Sequence, residues 1–138
     1  MIHTGRCECR GVSYRVDGPM RHVSNCHCGP CRRITGHFMA AAAARTDDVT
    51  FDSEVTLRWY PRTDEIEYGF CGTCGSTLFW RTSERPETLS IAAGTLDPPT
   101  GLETTDAIFV GEASDYHVVD ATIPSTELDR DLPMDWAR

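Results

Sequence analysis

The seven cysteines of this 138-residue chain constrain its fold more than any other feature, because they form three short clusters and none stands alone. The clusters are Cys7-x-Cys9, Cys26-x-Cys28-x-x-Cys31 and Cys71-x-x-Cys74. In extended chain a C-x-C pair puts both sulfurs on one face, and a C-x-x-C pair around a tight turn brings two thiolates within reach of one ion. Gly72 and Gly75 favour such a turn at the last cluster. The spacing therefore predicts metal binding.

Zinc prefers four ligands in structural sites, and sets of three protein ligands are typical of catalytic zinc. The three cysteines of the central cluster lie within six residues of one another, so they can hold one ion by themselves. The other four are then available for a second ion. We therefore predict two zinc ions per chain, a structural one on Cys7, Cys9, Cys71 and Cys74 and a catalytic one on Cys26, Cys28 and Cys31.

Other uses of these cysteines are less well supported by the sequence. Buried free thiols would not fall into ligand-spaced clusters, and a redox role for Cys71 and Cys74 or for Cys28 and Cys31 lacks the βαβ pattern of thioredoxin-like proteins. A single metal site, a shared thiolate-bridged cluster and iron in place of zinc remain alternatives.

A fourth protein ligand would close the three-cysteine site and make its zinc structural. The candidates for that ligand are His22, His37 and His117. His27 lies between two cysteines and is expected to point away from the metal if that stretch is extended. Arg32 and Arg33 follow Cys31 directly, so we predict that they offset the thiolate charge and bind an acidic substrate.

Charge and hydropathy exclude several classes of partner. Acidic residues outnumber basic ones by 21 to 13, giving a net charge of −8, which disfavours nucleic acid. The longest uncharged apolar stretch, residues 38–44, is far shorter than the ~20 residues of a membrane span. The first residues lack the apolar segment of a secretion signal. We expect a cytoplasmic protein.

Alternation of apolar and polar residues predicts a mainly β chain forming one domain over residues 1–138. The predicted strands cover residues 12–16, 55–60, 66–70, 77–80, 89–93 and 107–110, the second and third forming a hairpin. The aromatic residues Trp59, Tyr60 and Tyr68 are predicted to pack against neighbouring residues. Residues 38–44 are ambiguous, because their alanines favour a helix that is short. Residues 125–128 are predicted to form a short helical turn.

The order and spacing of the motifs resemble those of a known family. The matching segments are Gly5-Arg6-Cys7-Glu8-Cys9-Arg10-Gly11-Val12, Cys26-His27-Cys28 through Cys31-Arg32 with Gly36, Phe70-Cys71-Gly72-Thr73-Cys74-Gly75-Ser76, and Gly94-Thr95-Leu96-Asp97. They resemble the glutathione-dependent formaldehyde-activating enzyme (GFA) family, also called the centromere protein V domain. Tyr116 stands where many members have tryptophan.

The resemblance implies a mainly β, tent-like fold related to Mss4, with the same division of the cysteines into a structural and a catalytic zinc site. It also implies a carbon–sulfur lyase or synthase that acts on a thiol–aldehyde adduct such as S-hydroxymethylglutathione. The alternative hypothesis is a non-catalytic, zinc-stabilised protein-interaction module. The sequence predicts neither a nucleic-acid nor a membrane partner, and no particular oligomeric state.

Overall fold

The computed structural model describes residues 1–129, so the last part of the predicted domain, residues 130–138, lies outside the described residues. The strands are β1 (Ile2–Arg6), β2 (Val12–Asp17), β3 (Met20–Cys26), β4 (Met39–Arg45), β5 (Val49–Glu54), β6 (Leu57–Pro61), β7 (Ile66–Cys71), β8 (Thr77–Thr82), β9 (Thr88–Ala92) and β10 (Thr104–Ile108). One α-helix, α1 (Gly29–Thr35), follows β3. Single turns of 3-10 helix lie at Thr46–Asp48, Ala93–Thr95 and Val110–Glu112.

The strands form two sheets, which confirms the prediction of a mainly β fold. The smaller sheet has the order β1-β2-β5, and the larger has the order β10-β3-β4-β9-β8-β7-β6. Neighbouring strands are antiparallel except for β10 and β3, which are parallel. The predicted hairpin is present as β6 and β7, with Tyr60 opposite Tyr68.

The main core lies between the two sheets. The alternation predicted in β2 is confirmed, since Val12, Tyr14 and Val16 are fully buried and the residues between them are not. The Tyr14 ring packs edge-on against Phe79 of the larger sheet, with 5.2 Å between ring centroids. One face of the larger sheet is thereby buried against the smaller sheet.

The opposite face of the larger sheet carries a second apolar cluster, and α1 packs there. Met39, Ala41 and Tyr68 are buried on this face together with Cys31 of α1. This face positions the central cysteine cluster.

Four strands, β1, β3, β4 and β5, were not predicted. The ambiguous residues 38–44 become β4, an alanine-rich central strand between β3 and β9. Four of its alanines are buried, so packing on a covered sheet overrides their helical propensity. In β3 the register shifts between Arg21 and Ser24, which breaks the alternation that a pattern search relies on.

The helical turn predicted at residues 125–128 is wrong. Ser125 forms a parallel bridge with Ala107, and the backbone N–H of Thr126 donates to the carbonyl oxygen of Ala107 at 3.0 Å. The segment therefore extends beside β10, because pairing with the sheet satisfies its backbone groups there.

Candidate metal centres

The first centre brings together the two outer cysteine pairs. Cys7 lies just before the turn that follows β1, and Cys9 lies in that turn. Cys71 ends β7, and Cys74 lies in the turn after it. The four sulfur atoms lie within 4.8 Å of one another. This centre therefore joins the start of the smaller sheet to the end of a strand of the larger one.

The sulfur spacing in this centre fits zinc. The Sγ atoms of Cys7 and Cys9 are 3.7 Å apart, and those of Cys9 and Cys71 are 3.6 Å apart. Four sulfurs at the usual Zn–S distance of about 2.3 Å form a tetrahedron whose edges are about 3.8 Å. The residues present therefore fit a closed, four-thiolate zinc site.

Hydrogen bonds to the sulfurs support that fit by stabilising thiolates. The backbone N–H groups of Val12 and Cys74 donate to Cys7 and Cys71, each at 3.3 Å. Ser76 lies 3.2 Å from the sulfur of Cys74, and its hydrogen bonds lower the pKa of this thiol to about 5. Gly75 has φ of 80°, the left-handed conformation that closes this turn.

The second centre is built where β3 leads into α1. Cys26 is the last residue of β3, Cys28 is the N-cap of α1 and Cys31 lies in the first turn of the helix. The Cys28 sulfur accepts the backbone N–H of Cys31 at 3.4 Å, so the helix start fixes the positions of both side chains. The three sulfurs lie within 4.8 Å of one another, with Cys31 buried and the other two partly buried.

The pKa values of the thiols in the second centre depend on one another, because the sulfurs share hydrogen bonds. Hydrogen bonds from Cys26 and Cys31 lower the pKa of the Cys28 thiol to about 3. Hydrogen bonds with Cys28 and Cys31 raise the pKa of the Cys26 thiol, and burial raises it further. One thiolate is thus favoured here, whereas three thiolates together require a cation to offset their charge. This donor set suits a soft divalent ion such as zinc.

A cavity of about 500 Å³ opens onto the second centre. Its apolar wall includes Met39, Ala41, Ile66, Tyr68, Trp80 and Phe109. Charged residues line it as well, namely Arg21, Arg62, Arg85, Glu84, Glu112 and Asp129. A mostly apolar cavity with a few polar groups beside a reactive centre is typical of small-molecule sites.

Tyr68 lies against this centre with its side chain almost completely buried. Its hydroxyl donates to Cys31, with 3.2 Å between Oη and Sγ, if Cys31 is a thiolate. Burial raises the pKa of Tyr68, and the negative charge on Cys31 raises it further, so the phenol keeps its proton. The sequence predicts Tyr68 only as a packing residue, because the alternation of β7 looks no different from that of β6, which carries Tyr60.

None of the histidines proposed as a fourth ligand joins the second centre. Within residues 1–129, no histidine, aspartate or glutamate has a ligating atom within 4.8 Å of all three sulfurs. His22 instead accepts the backbone N–H of Glu103 at 3.0 Å. His37 packs edge-on against His117, with 4.5 Å between ring centroids.

His27, expected to point away from the metal, is buried and does not join the cysteine group. Its ring lies 4.9 Å from that of Phe38 and 5.3 Å from that of His117, measured between centroids. Burial lowers the pKa of His27, as do the neighbouring His117 and His37. Tyr116 continues this ring cluster by stacking on His37, with centroids 5.6 Å apart.

Arg32 and Arg33, predicted to bind substrate, do not line the cavity beside the second centre. Arg33 borders an adjoining depression with Ile34 and Tyr60, which shares Pro30 and Arg62 with the cavity. The arginines that do line the cavity are Arg21, Arg62 and Arg85. Arg62 and Arg85 are distant from Cys31 in the chain, and Arg21 lies in β3, so no pattern next to the cysteines indicates them.

The fold and the two cysteine centres define a mainly β, Mss4-like domain with clusters suited to zinc. The chain belongs to the GFA family, since the family model described as "Glutathione-dependent formaldehyde-activating enzyme" matches residues 2–112. None of the helices among residues 1–129 is long and apolar enough to cross a membrane.

Solved structures support the fold. A crystal structure of a Rhodobacter sphaeroides protein is similar to this chain, with a TM-score of 0.57 and 22% sequence identity. The similarity covers 89% of this chain and 99% of that one. At this identity the likeness establishes the fold alone. No curated protein matches the chain.

Proposed function

We propose that this protein is a zinc-dependent carbon–sulfur lyase, or a synthase in the reverse direction, acting on a glutathione-like thiol–aldehyde adduct such as S-hydroxymethylglutathione. The observation that carries the proposal is the second centre, whose three sulfurs border a cavity of about 500 Å³ and gain no fourth ligand from the histidines, aspartates and glutamates of residues 1–129. Family membership supports it. The proposal includes one zinc ion at each centre.

The reaction is simple in its bond changes. In the cleavage direction the hydroxyl proton of the adduct leaves, a carbon–oxygen double bond forms, and the carbon–sulfur bond breaks with its electron pair on sulfur. Zinc bound to the three cysteines would supply a Lewis acid that stabilises a thiolate at neutral pH.

The chain's own residues orient and enclose the substrate. Met39, Ile66 and Trp80 form an apolar wall that displaces water from the reacting sulfur and carbon. Arg62 and Arg85 line the cavity, and guanidinium groups suit the carboxylates of a glutathione-like thiol.

A cobalt titration tests whether a thiol reaches the second centre. We expect the visible spectrum of the Co²⁺-substituted protein to change saturably as glutathione is added, because only a centre with an exchangeable position responds. S-methylglutathione, which has no ionisable thiol, is the matched control and should leave the spectrum unchanged. No response up to millimolar glutathione would contradict the proposal and favour the protein-interaction module.

Arginine substitutions test whether the substrate is bound by the arginines that line the cavity or by those adjacent to Cys31 in the chain. We expect Arg85→Gln to raise KM for the glutathione adduct roughly three- to tenfold with little change in kcat, because one exposed carboxylate contact is lost. Arg33→Gln is the matched control and should leave both constants near wild type. The measurement is steady-state kinetics of both variants. A raised KM in Arg33→Gln with a wild-type KM in Arg85→Gln would show that Arg33, and not Arg85, binds the substrate.

We also propose a cytoplasmic location. The seven cysteines are free, and a reducing compartment keeps thiolate ligands available for metal.

A further inference from the structure

The hydroxyl of Tyr68, a residue of β7, contacts the three-cysteine centre. Tyr68 is only 3% exposed and lies on the face of the larger sheet that lines the cavity, opposite Trp80 in the neighbouring strand. Its oxygen is 3.2 Å from the sulfur of Cys31. A buried tyrosine hydroxyl normally has a hydrogen-bond partner, and here the partner is a cysteine of the metal centre.

Similar contacts occur in the four-cysteine centre. Thr56 lies with its hydroxyl 3.1 Å from the sulfur of Cys71, and Ser76 lies 3.2 Å from that of Cys74. Both centres thus combine thiols with side-chain hydroxyl groups. An O–H donor disperses negative charge on a thiolate without adding a cation.

Dispersing the negative charge of the cysteine thiolates matters most at the second centre, where a substrate thiolate would also bind. Three thiolates already exceed the charge of one divalent ion, and a substrate thiolate adds a further negative charge. The arginines next to Cys31 in the chain do not line the cavity. Of those that do, Arg62 and Arg85 are assigned to the substrate carboxylates, and Arg21 donates to the carbonyl oxygen of Ala41. A neutral donor on Cys31 therefore lowers the electrostatic cost of binding a thiolate beside it.

We propose that Tyr68 is a positioning residue for thiol binding: its O–H···S hydrogen bond withdraws charge from Cys31 and thereby strengthens binding of the substrate thiolate. The inference rests on the proposed function, because it concerns the same centre. Tyr68 acts through Cys31 and requires no proton transfer of its own.

The test uses the Co²⁺-substituted Tyr68→Phe protein, which keeps the ring and loses the donor. Without its hydrogen bond, the Cys31 sulfur holds its electrons less tightly. We therefore expect the sulfur-to-cobalt charge-transfer band of the thiol-free protein to move to longer wavelength. We also expect the glutathione Kd from the cobalt titration to rise roughly three- to tenfold. Melting temperature measures any general loss of structure.

Tyr60→Phe is the matched control, because Tyr60 faces Tyr68 across the β6–β7 pair but does not line the cavity. It should leave both the band and the glutathione affinity unchanged. An unshifted band, or an unchanged glutathione Kd, in Tyr68→Phe would overturn the inference.

The two readouts distinguish the inference from the proposed function. If the wild-type protein itself shows no response to glutathione, the proposed function fails and the role of Tyr68 in thiol binding fails with it. If the wild type responds and Tyr68→Phe behaves identically, the inference alone is wrong.

Discussion

Replacing Cys28 by serine is expected to abolish turnover while leaving the fold largely intact. Cys28 supplies one of three sulfurs at the cavity, and loss of a group that merely supports a metal ligand already costs about ten- to a hundredfold. We therefore expect a loss of more than about a hundredfold when a ligand itself is removed. The measurement is the exchange rate between formaldehyde and S-hydroxymethylglutathione, followed by NMR.

The fold should tolerate this change because serine can perform the structural role of Cys28. Cys28 is the N-cap of α1 and accepts the backbone N–H of Cys31 at 3.4 Å. Serine is among the preferred N-cap residues. Zinc content should fall by one ion per chain, and the melting temperature should change by only a few degrees. Full activity in this variant would remove the second centre from the mechanism.

Replacing Cys74 by serine is expected to have the opposite result, a loss of the folded state. The four-cysteine centre links the turn after β1 to the end of β7, so one ion there would hold the two sheets together. Binding of structural zinc contributes about 10–16 kcal/mol in zinc-finger peptides. The whole stability of a domain is about 5–15 kcal/mol. We expect the cooperative thermal transition to shift down by more than about 10 °C or to disappear, as followed by circular dichroism.

Ser76→Ala is the control for this experiment, since it removes the hydroxyl 3.2 Å from the Cys74 sulfur but keeps all four ligands. The Ser76 hydroxyl also accepts the backbone N–H of Glu8 at 3.1 Å, so two hydrogen bonds are lost. The expected cost is about 2 kcal/mol, at about 1 kcal/mol for each bond. A Cys74→Ser protein with wild-type zinc content and melting temperature would contradict a structural role for this centre.

Cysteine grouping was predictable because ligand spacing is local information. A pair two or three residues apart limits how far its sulfurs can separate, and the structure brings the seven residues together in the predicted groups of four and three. Strand β2 was predictable for a similar reason, since one face of it is buried and its alternation is visible in the sequence.

Central strands and cavity residues were not predictable in this way. The alanines of β4 have no alternation, because the strand is covered on both faces by elements that come from elsewhere in the chain. Arg62 and Arg85 reach the cavity from loops next to β6 and β9, whereas the arginines adjacent to Cys31 lie outside it.

The sequence by itself determined the mainly β class, the family and the division of the cysteines. Strand alternation and the spacing within each cysteine cluster are local, and the four-cysteine group follows as the remainder once the central three are assigned to one ion. Only the tertiary structure decided what surrounds the three-cysteine centre. It placed the hydroxyl of Tyr68 on Cys31, kept the histidines of residues 1–129 out of the ligand group and set Arg62 and Arg85 on the cavity. The physical reason is that these neighbours meet through strand pairing and packing between distant segments, which no local pattern encodes.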